Sequence, residues 1–180
     1  MEQTKVTSHI VKGLLLTFVV IIIGIVGYMT KAAEKPGYAW IGNVVLFGGI
    51  IWGCIYYAQQ MNGQVTFGNI FAHGFKMTAV VSVLLVVYTL LAVYVLFPDM
   101  KDKAMEMARQ RMEDKGNLSD QQIDSSMEIA KKYFNVILIV GVCLGTLIIG
   151  VLASLLGAAF SKKNQINPLQ QIDQLDQLKP

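Results

Sequence analysis

Apolar residues along this chain gather in four blocks, residues 13–29, 38–58, 75–97 and 134–160. Each is about twenty residues long, enough for a helix rising about 1.5 Å per residue to cross roughly 30 Å of hydrocarbon. Between the third and fourth blocks, residues 98–133 are polar, with apolar side chains at helical spacing. Met105, Ala108 and Met112 mark one helical face, and Ile123, Met127, Ala130 and Phe134 mark another. Gly116-Asn117 supplies a stop between them. Ser119-x-x-Gln122 then reads as a capping box, with Leu118 and Ile123 placed as its hydrophobic staple. Opposite charges at i,i+4 support both arms: Asp99 with Lys103, Arg109 with Glu113, and Glu128 with Lys132. The pattern predicts an all-α integral membrane protein with four transmembrane helices, spans three and four being extended by an extramembrane helical hairpin.

The segments around the blocks refine that expectation. Residues 1–12 are short, polar and weakly basic. The first block is longer than the apolar core of about 7–15 residues found in a cleaved leader, so it reads as an anchor. Pro36-Gly37 signals a turn. Tyr38 and Trp40 open the second block and Tyr56-Tyr57 close it, as interfacial aromatic belts do. Residues 59–74, rich in Gly and Phe and nearly uncharged, read as a loop. Pro98 punctuates the end of the third block, and Lys162-Lys163 mark the exit of the fourth. The expected organisation is a four-span membrane domain over residues 1–163 and a C-terminal tail over 164–180. In the tail, Asn167-Pro168 offers a helix start, and Leu169, Ile172 and Leu175 recur at every third residue, a spacing that gives only a broad stripe.

Composition agrees with a membrane class. The chain is 54% hydrophobic and 15% charged, against about a quarter charged in soluble domains. Its net charge of +3, without a basic stripe interleaved with aromatics, gives no reason to expect nucleic acid. Lysines flank the spans almost equally on both sides, so the positive-inside rule does not set an orientation. No Asp, Glu, Lys, Arg or His falls within the interior of any of the four blocks, Lys76 standing at the edge of the third, which argues against an ion-coupled transporter. Cys54 and Cys143 lie within blocks and read as small buried hydrophobes. His9 and His73 stand at membrane edges without a further ligand at metal-site spacing. No catalytic residue, cofactor site or metal site is expected.

The spans carry small residues instead: Gly49-x-x-x-Gly53, Gly141-x-x-x-Gly145, Gly150-x-x-x-Ser154 and Ala153-x-x-x-Gly157. Such pairs let helix backbones approach closely in lipid, within one bundle or between chains. Asn43, Thr78, Ser82, Thr89 and Thr146 are placed to hydrogen-bond between helices. Three surfaces offer themselves for docking: Met105, Met112, Ile123 and Met127 on the hairpin, Gly141 and Gly145 on the fourth span, and Leu169, Ile172 and Leu175 in the tail. The plainer reading of the hairpin is that its arms pack on each other.

The expected role is a non-enzymatic accessory or scaffold subunit of a larger membrane complex, bound to another membrane protein or to a second copy. The alternative is a small lipid- or metabolite-handling protein, a passive carrier with Asn43, Tyr88 and Tyr94 as polar lining. An enzyme ranks third, since only His73 beside the Phe/Gly loop could seed one.

Phe67-Gly68-x-x-Phe71-x-x-Gly74-Phe75, Phe97-Pro98-Asp99 and Leu118-Ser119-x-x-Gln122-Ile123 together resemble a bacterial family of small four-span inner-membrane proteins known only as a domain of unknown function. The likeness runs from the first span to Lys163. It implies a bacterial inner membrane, with both termini and the Phe/Gly loop in the cytoplasm and the hairpin in the periplasm. Gln59-Gln60 and the scarcity of charge in the loop depart from the family's pattern. The resemblance brings no catalytic residues.

Overall fold

A backbone surrounded by lipid must satisfy its polar groups within its own segment, so long apolar stretches wind into helices. The computed structural model describes residues 6–35 and 37–161; the tail over 164–180, with Leu169, Ile172 and Leu175, lies outside the described residues. The helices are α1 (His9–Met29), α2 (Tyr38–Gln60), α3 (Phe67–Leu91), α4 (Asp99–Asp114), α5 (Asp120–Lys132) and α6 (Phe134–Phe160), with no strand among the described residues. Four of them are long and apolar enough to cross a membrane: α1, α2, α6, and α3 with its π-wound continuation to Leu96. The chain is thus all-helical and reads as a multi-pass membrane protein.

Two spans begin earlier than their polarity suggested. α1 starts at His9 rather than residue 13, because Ser8 Oγ accepts from the backbone N–H groups of Ile10 and Val11 at 3.2 and 3.4 Å. α3 starts at Phe67 rather than residue 75, so the expected Phe/Gly loop forms its opening turns. Thr66 Oγ1 accepts from Asn69 N–H at 3.3 Å, and Thr66 carbonyl accepts from Ile70 N–H at 3.2 Å. Ile70 and His73 are buried on this added length. Polar Asn69 and His73 had hidden the face. These extensions also correct the expectation that the spans hold no ionisable group inside. Lys12 and His73 both lie in span helices, and both are buried.

The chain forms two compact units. The first comprises the residues up to Val81 together with those from Leu147 onward. Ile50, Cys54, Ile70, Met77, Val81 and Ala153 make its fully buried core. Its helices approach through small residues. A Cβ added to Gly150 would strike the Thr78 side chain, and one on Gly49 would strike Leu16. One on Gly157 would lie 2.6 Å from Cys54 Cβ and 3.2 Å from Ile51 Cα. Ser154, fully buried in the same region, has a hydroxyl with no hydrogen-bond partner among the described residues, so it serves by its small size. Thr78 was expected to bond across helices. Its hydroxyl instead donates to Gly74 O of its own helix at 2.9 Å, the nearest acceptor that a β-hydroxyl finds in a dry helix. Tyr38, expected in an interfacial belt, lies over Gly27 and donates its hydroxyl to Ile23 O at 2.8 Å, fastening α2 to α1.

The second unit is Ser82–Thr146. Thr89 and Thr146, like Thr78, donate within their own helices, each at 2.7 Å. The Phe97 N–H reaches back to Ala92 O at 2.7 Å, closing a π-turn just before Pro98, which has no N–H to continue the ladder. Past Pro98 come the polar helices α4 and α5. The capping box at Ser119 forms, with Gln122 N–H on Ser119 Oγ at 3.4 Å and Ser119 N–H on Gln122 Oε1 at 2.9 Å. Arg109 bridges Glu113 of its own helix at 2.8 Å and Asp124 of α5 at 3.0 Å. The Glu113 hydrogen bond, then the Asp124 charge, holds this exposed guanidinium above its ordinary range. Lys132, expected to pair with Glu128, lies over the Tyr133 ring at 5.5 Å. Tyr94 donates to Asn135.

The glycines should therefore separate by position. Gly150→Leu should lose about 1–3 kcal/mol of stability through overpacking against Thr78, while Gly141→Leu, at an open position, should stay within about 0.5 kcal/mol of the parent. Thermal unfolding of the purified protein in mild detergent measures both.

Candidate functional site

Polar groups collect at one end of the first unit, where α1 begins, α2 ends and α3 begins. Thr7 N–H donates to Gln60 Oε1 at 3.1 Å, and Gln60 Nε2 donates to Thr7 Oγ1 at 3.0 Å. This reciprocal pair ties the segment before α1 to the end of α2. The Ser8 cap then fixes the rotation of α1, and one turn later Lys12 points inward.

Lys12 is only 4% exposed. Its ammonium lies 3.4 Å from Gly53 O and 3.4 Å from His73 Nε2. The Tyr56 ring centroid is 4.9 Å away and that of Tyr57 5.8 Å, so two aromatic faces complete the surroundings. With Lys12 donating, His73 Nε2 accepts, and the neutral ring then carries its proton on Nδ1. His73 is itself buried, stacked on Tyr57 at 4.1 Å and 9° and met edge-on by His9 at 6.0 Å. Among the described residues no carboxylate forms an ion pair with Lys12, and those that meet its charge do so with dipoles and π-faces.

Two cavities adjoin this cluster. The larger, about 510 Å³, is a groove along α1 and α2. Thr7, Lys12 and Tyr56 line one end, and Val19 and Gly49 line the other, with Leu15, Trp52 and Met77 among the walls. Leu15, Val19 and Trp52 are exposed, so the groove opens sideways on the outer face of the α1–α2 pair. Thirteen positions from Thr7 to Val19 give it a length of about 18 Å. The smaller cavity, about 290 Å³, is polar and is lined by Ser8, His9, Asn69, His73 and Lys76 among others. Thr7 borders both, and the Lys12–His73 contact lies between them.

One cavity is apolar with a cation at its end; the other is lined, among the described residues, by donors and bases and by no carboxylate. His9 and His73 come together, but no group of three His, Cys, Asp or Glu side chains gathers in metal-binding range among the described residues.

The residues singled out from the sequence lie elsewhere. Ile123 and Met127 are buried, and Met105 and Met112 are half-buried. Gly141 and Gly145 are exposed, with nothing within 4 Å of an added Cβ. Asn43 and Tyr94 are exposed and, with Tyr88, line neither cavity, so the polar lining expected from them is supplied by Lys12 and its neighbours. The signals that could have found the site were the Thr7-Ser8 and Thr66 caps, which bring Lys12 and His73 inside helices.

Coupling between Lys12 and His73 should be measurable. His73→Leu removes one acceptor from a buried ammonium and should cost about 1–3 kcal/mol. Adding Lys12→Met should recover part of that loss, because an apolar side chain needs no partner. Unfolding midpoints of the two single variants and the double variant in detergent give the cycle.

A family model described as "Protein of unknown function (DUF4199)" matches residues 11–163. No curated protein and no solved structure matches the chain.

Proposed function

The chain belongs to the DUF4199 family of proteins of unknown function, and we propose that it is a non-enzymatic membrane protein that binds an amphiphilic lipid in the groove between α1 and α2. The observation that carries this reading is the pairing of a side-opening apolar groove of about 510 Å³ with a buried lysine at one end. Its volume falls within the roughly 300–1,000 Å³ usual for ligand sites. A lateral opening suits a molecule that arrives from the bilayer, and the graded lining suits one that is apolar along its length and polar at its head.

The same proposal places the protein in a bacterial inner membrane, with both termini and the start of α3 on the cytoplasmic side. α4 and α5 then project into the periplasm as an extramembrane hairpin. Their polar composition, with exposed charges at Asp99, Lys103, Arg109 and Asp124, supports that position. The resemblance to small four-span inner-membrane proteins supports the compartment.

Filling the groove should empty it. Val19→Trp places a large ring at the apolar end, at an exposed position where the fold can accept it. Protein purified from its native membrane in mild detergent should carry lipid detectable by mass spectrometry, and Val19→Trp should carry at least several-fold less. Equal lipid content in the two would sink the reading.

One observation favours a second reading, an accessory or scaffold subunit. Gly141 and Gly145 form an open small-residue face on α6 that no side chain among the described residues fills. Open as it is among the described residues, such a face suits a helix from another membrane protein or a second copy. On that reading a stoichiometric partner, or a dimer, should survive mild purification and be lost in Gly141→Leu; a partner-free monomer from both would count against it.

A further inference from the structure

From the charges around the two cavities we infer that the ligand's head is an anion, of the phosphate-diester class carried by anionic membrane lipids. Lys12 meets it from the groove side, and the polar cavity lined by His9, His73 and Lys76 receives it. This inference rests on the lipid-binding reading and adds the head-group to it.

The argument begins with Lys12. A buried ammonium costs several kcal/mol to desolvate unless a counter-charge or a full set of acceptors meets it. Here one carbonyl and one imidazole nitrogen, both at 3.4 Å, are long contacts for a charged donor, whose good hydrogen bonds lie near 2.7–2.9 Å. The Tyr56 and Tyr57 ring faces add to these contacts, but none of the four is a negative charge, so the ammonium keeps capacity for an anion. Opening the same end of the first unit, the smaller cavity gathers two imidazoles and Lys76, with the Ser8 hydroxyl and Asn69 as further hydrogen-bonding groups. Among the described residues no Asp or Glu lines either cavity. Among the described residues every charged side chain on their walls, Lys12 and Lys76, is a cation, so the ammonium of a zwitterionic head would meet no carboxylate there. A phosphate diester brings one negative charge and no cation.

The apolar groove decides between a lipid and a free oxyanion. Lys12 is a wall of the groove and a neighbour of His73, so an anion near it has the groove's Leu15, Trp52 and Val19 beside it. A free phosphate leaves that volume empty. A lipid anion fills both parts at once.

Trp52 lines the groove and reports on its contents. The full-length protein carrying Trp40→Phe, which leaves Trp52 as its single tryptophan, is reconstituted in phosphatidylcholine vesicles. Brominated-chain phosphatidylglycerol or brominated-chain phosphatidylcholine is then titrated in, and quenching of Trp52 fluorescence is followed. Brominated phosphatidylglycerol should reach half-maximal quenching at a mole fraction about ten-fold lower, the effect of one charge-assisted contact. Lys12→Met should bring it to the level of brominated phosphatidylcholine, and Lys76→Gln, at an exposed position, should reduce the preference by several-fold.

Equal quenching by the two lipids, or a preference that survives both variants, overturns the anionic head and leaves the groove reading standing. Failure of either brominated lipid to quench Trp52 above the level of random contact overturns the groove reading itself. Stabilisation by inorganic phosphate alone, in protein that shows no preference for phosphatidylglycerol, assigns the polar cavity to a soluble anion and overturns the lipid source.

Discussion

A lysine ammonium taken out of water without a carboxylate must be surrounded by something, and the first unit is arranged around that requirement. The Ser8 cap sets the rotation of α1 that turns Lys12 inward, and the Thr7–Gln60 pair holds the cap against α2. Gly53 supplies a carbonyl, Tyr56 and Tyr57 supply ring faces, and His73 supplies a ring nitrogen from α3. Desolvation of such a charge is worth several kcal/mol, more than any one cap or stacking contact returns. No single contact therefore offsets that cost, and the ammonium depends on the cluster acting together. That cost is easiest to understand at a place where a ligand completes the charge balance.

The close approach of the helices follows a different logic. Between apolar helices in lipid, water gives no hydrophobic drive for association, so contact distance decides. Gly49, Gly150 and Gly157 stand where a methyl group would meet Leu16, Thr78 and Cys54. The threonine hydroxyls add little across helices, because each has already found a carbonyl four residues back. Backbone proximity and side-chain packing hold this unit, and a short polar cluster at one end interrupts them.

Much of the architecture was legible in the pattern of apolar blocks. The four span-capable helices and the capping box at Ser119 follow from residue spacing alone. The site was not legible, and the reason is local. Hydropathy placed the starts of α1 and α3 where the residues become uniformly apolar, while the helices start where Ser8 and Thr66 cap them. The interval between those two definitions, residues 9–12 and 67–74, holds His9, Lys12 and His73. Antiparallel packing then brings together residues far apart in sequence, which periodicity cannot show. Glycine pairs alike in spacing differ in their surroundings: Gly150 is pressed against Thr78, while among the described residues nothing lies within 4 Å of a Cβ added to Gly141 or Gly145.

The π-turn at Ala92–Leu96 has a further consequence. An α-helix advances about 100° in azimuth per residue, and a π-turn holds one residue more than the α ladder would bond. That surplus residue offsets the phase of everything downstream by roughly a quarter of a revolution without altering the length of the span appreciably. Within the second unit, the azimuth at which the chain reaches Pro98 is thus set separately from how far α3 has climbed. Span length answers to bilayer thickness, and heading answers to a single residue of winding. A chain with these two adjustments decoupled can re-aim α4 by one insertion or deletion while leaving the reach of its third span essentially as it was.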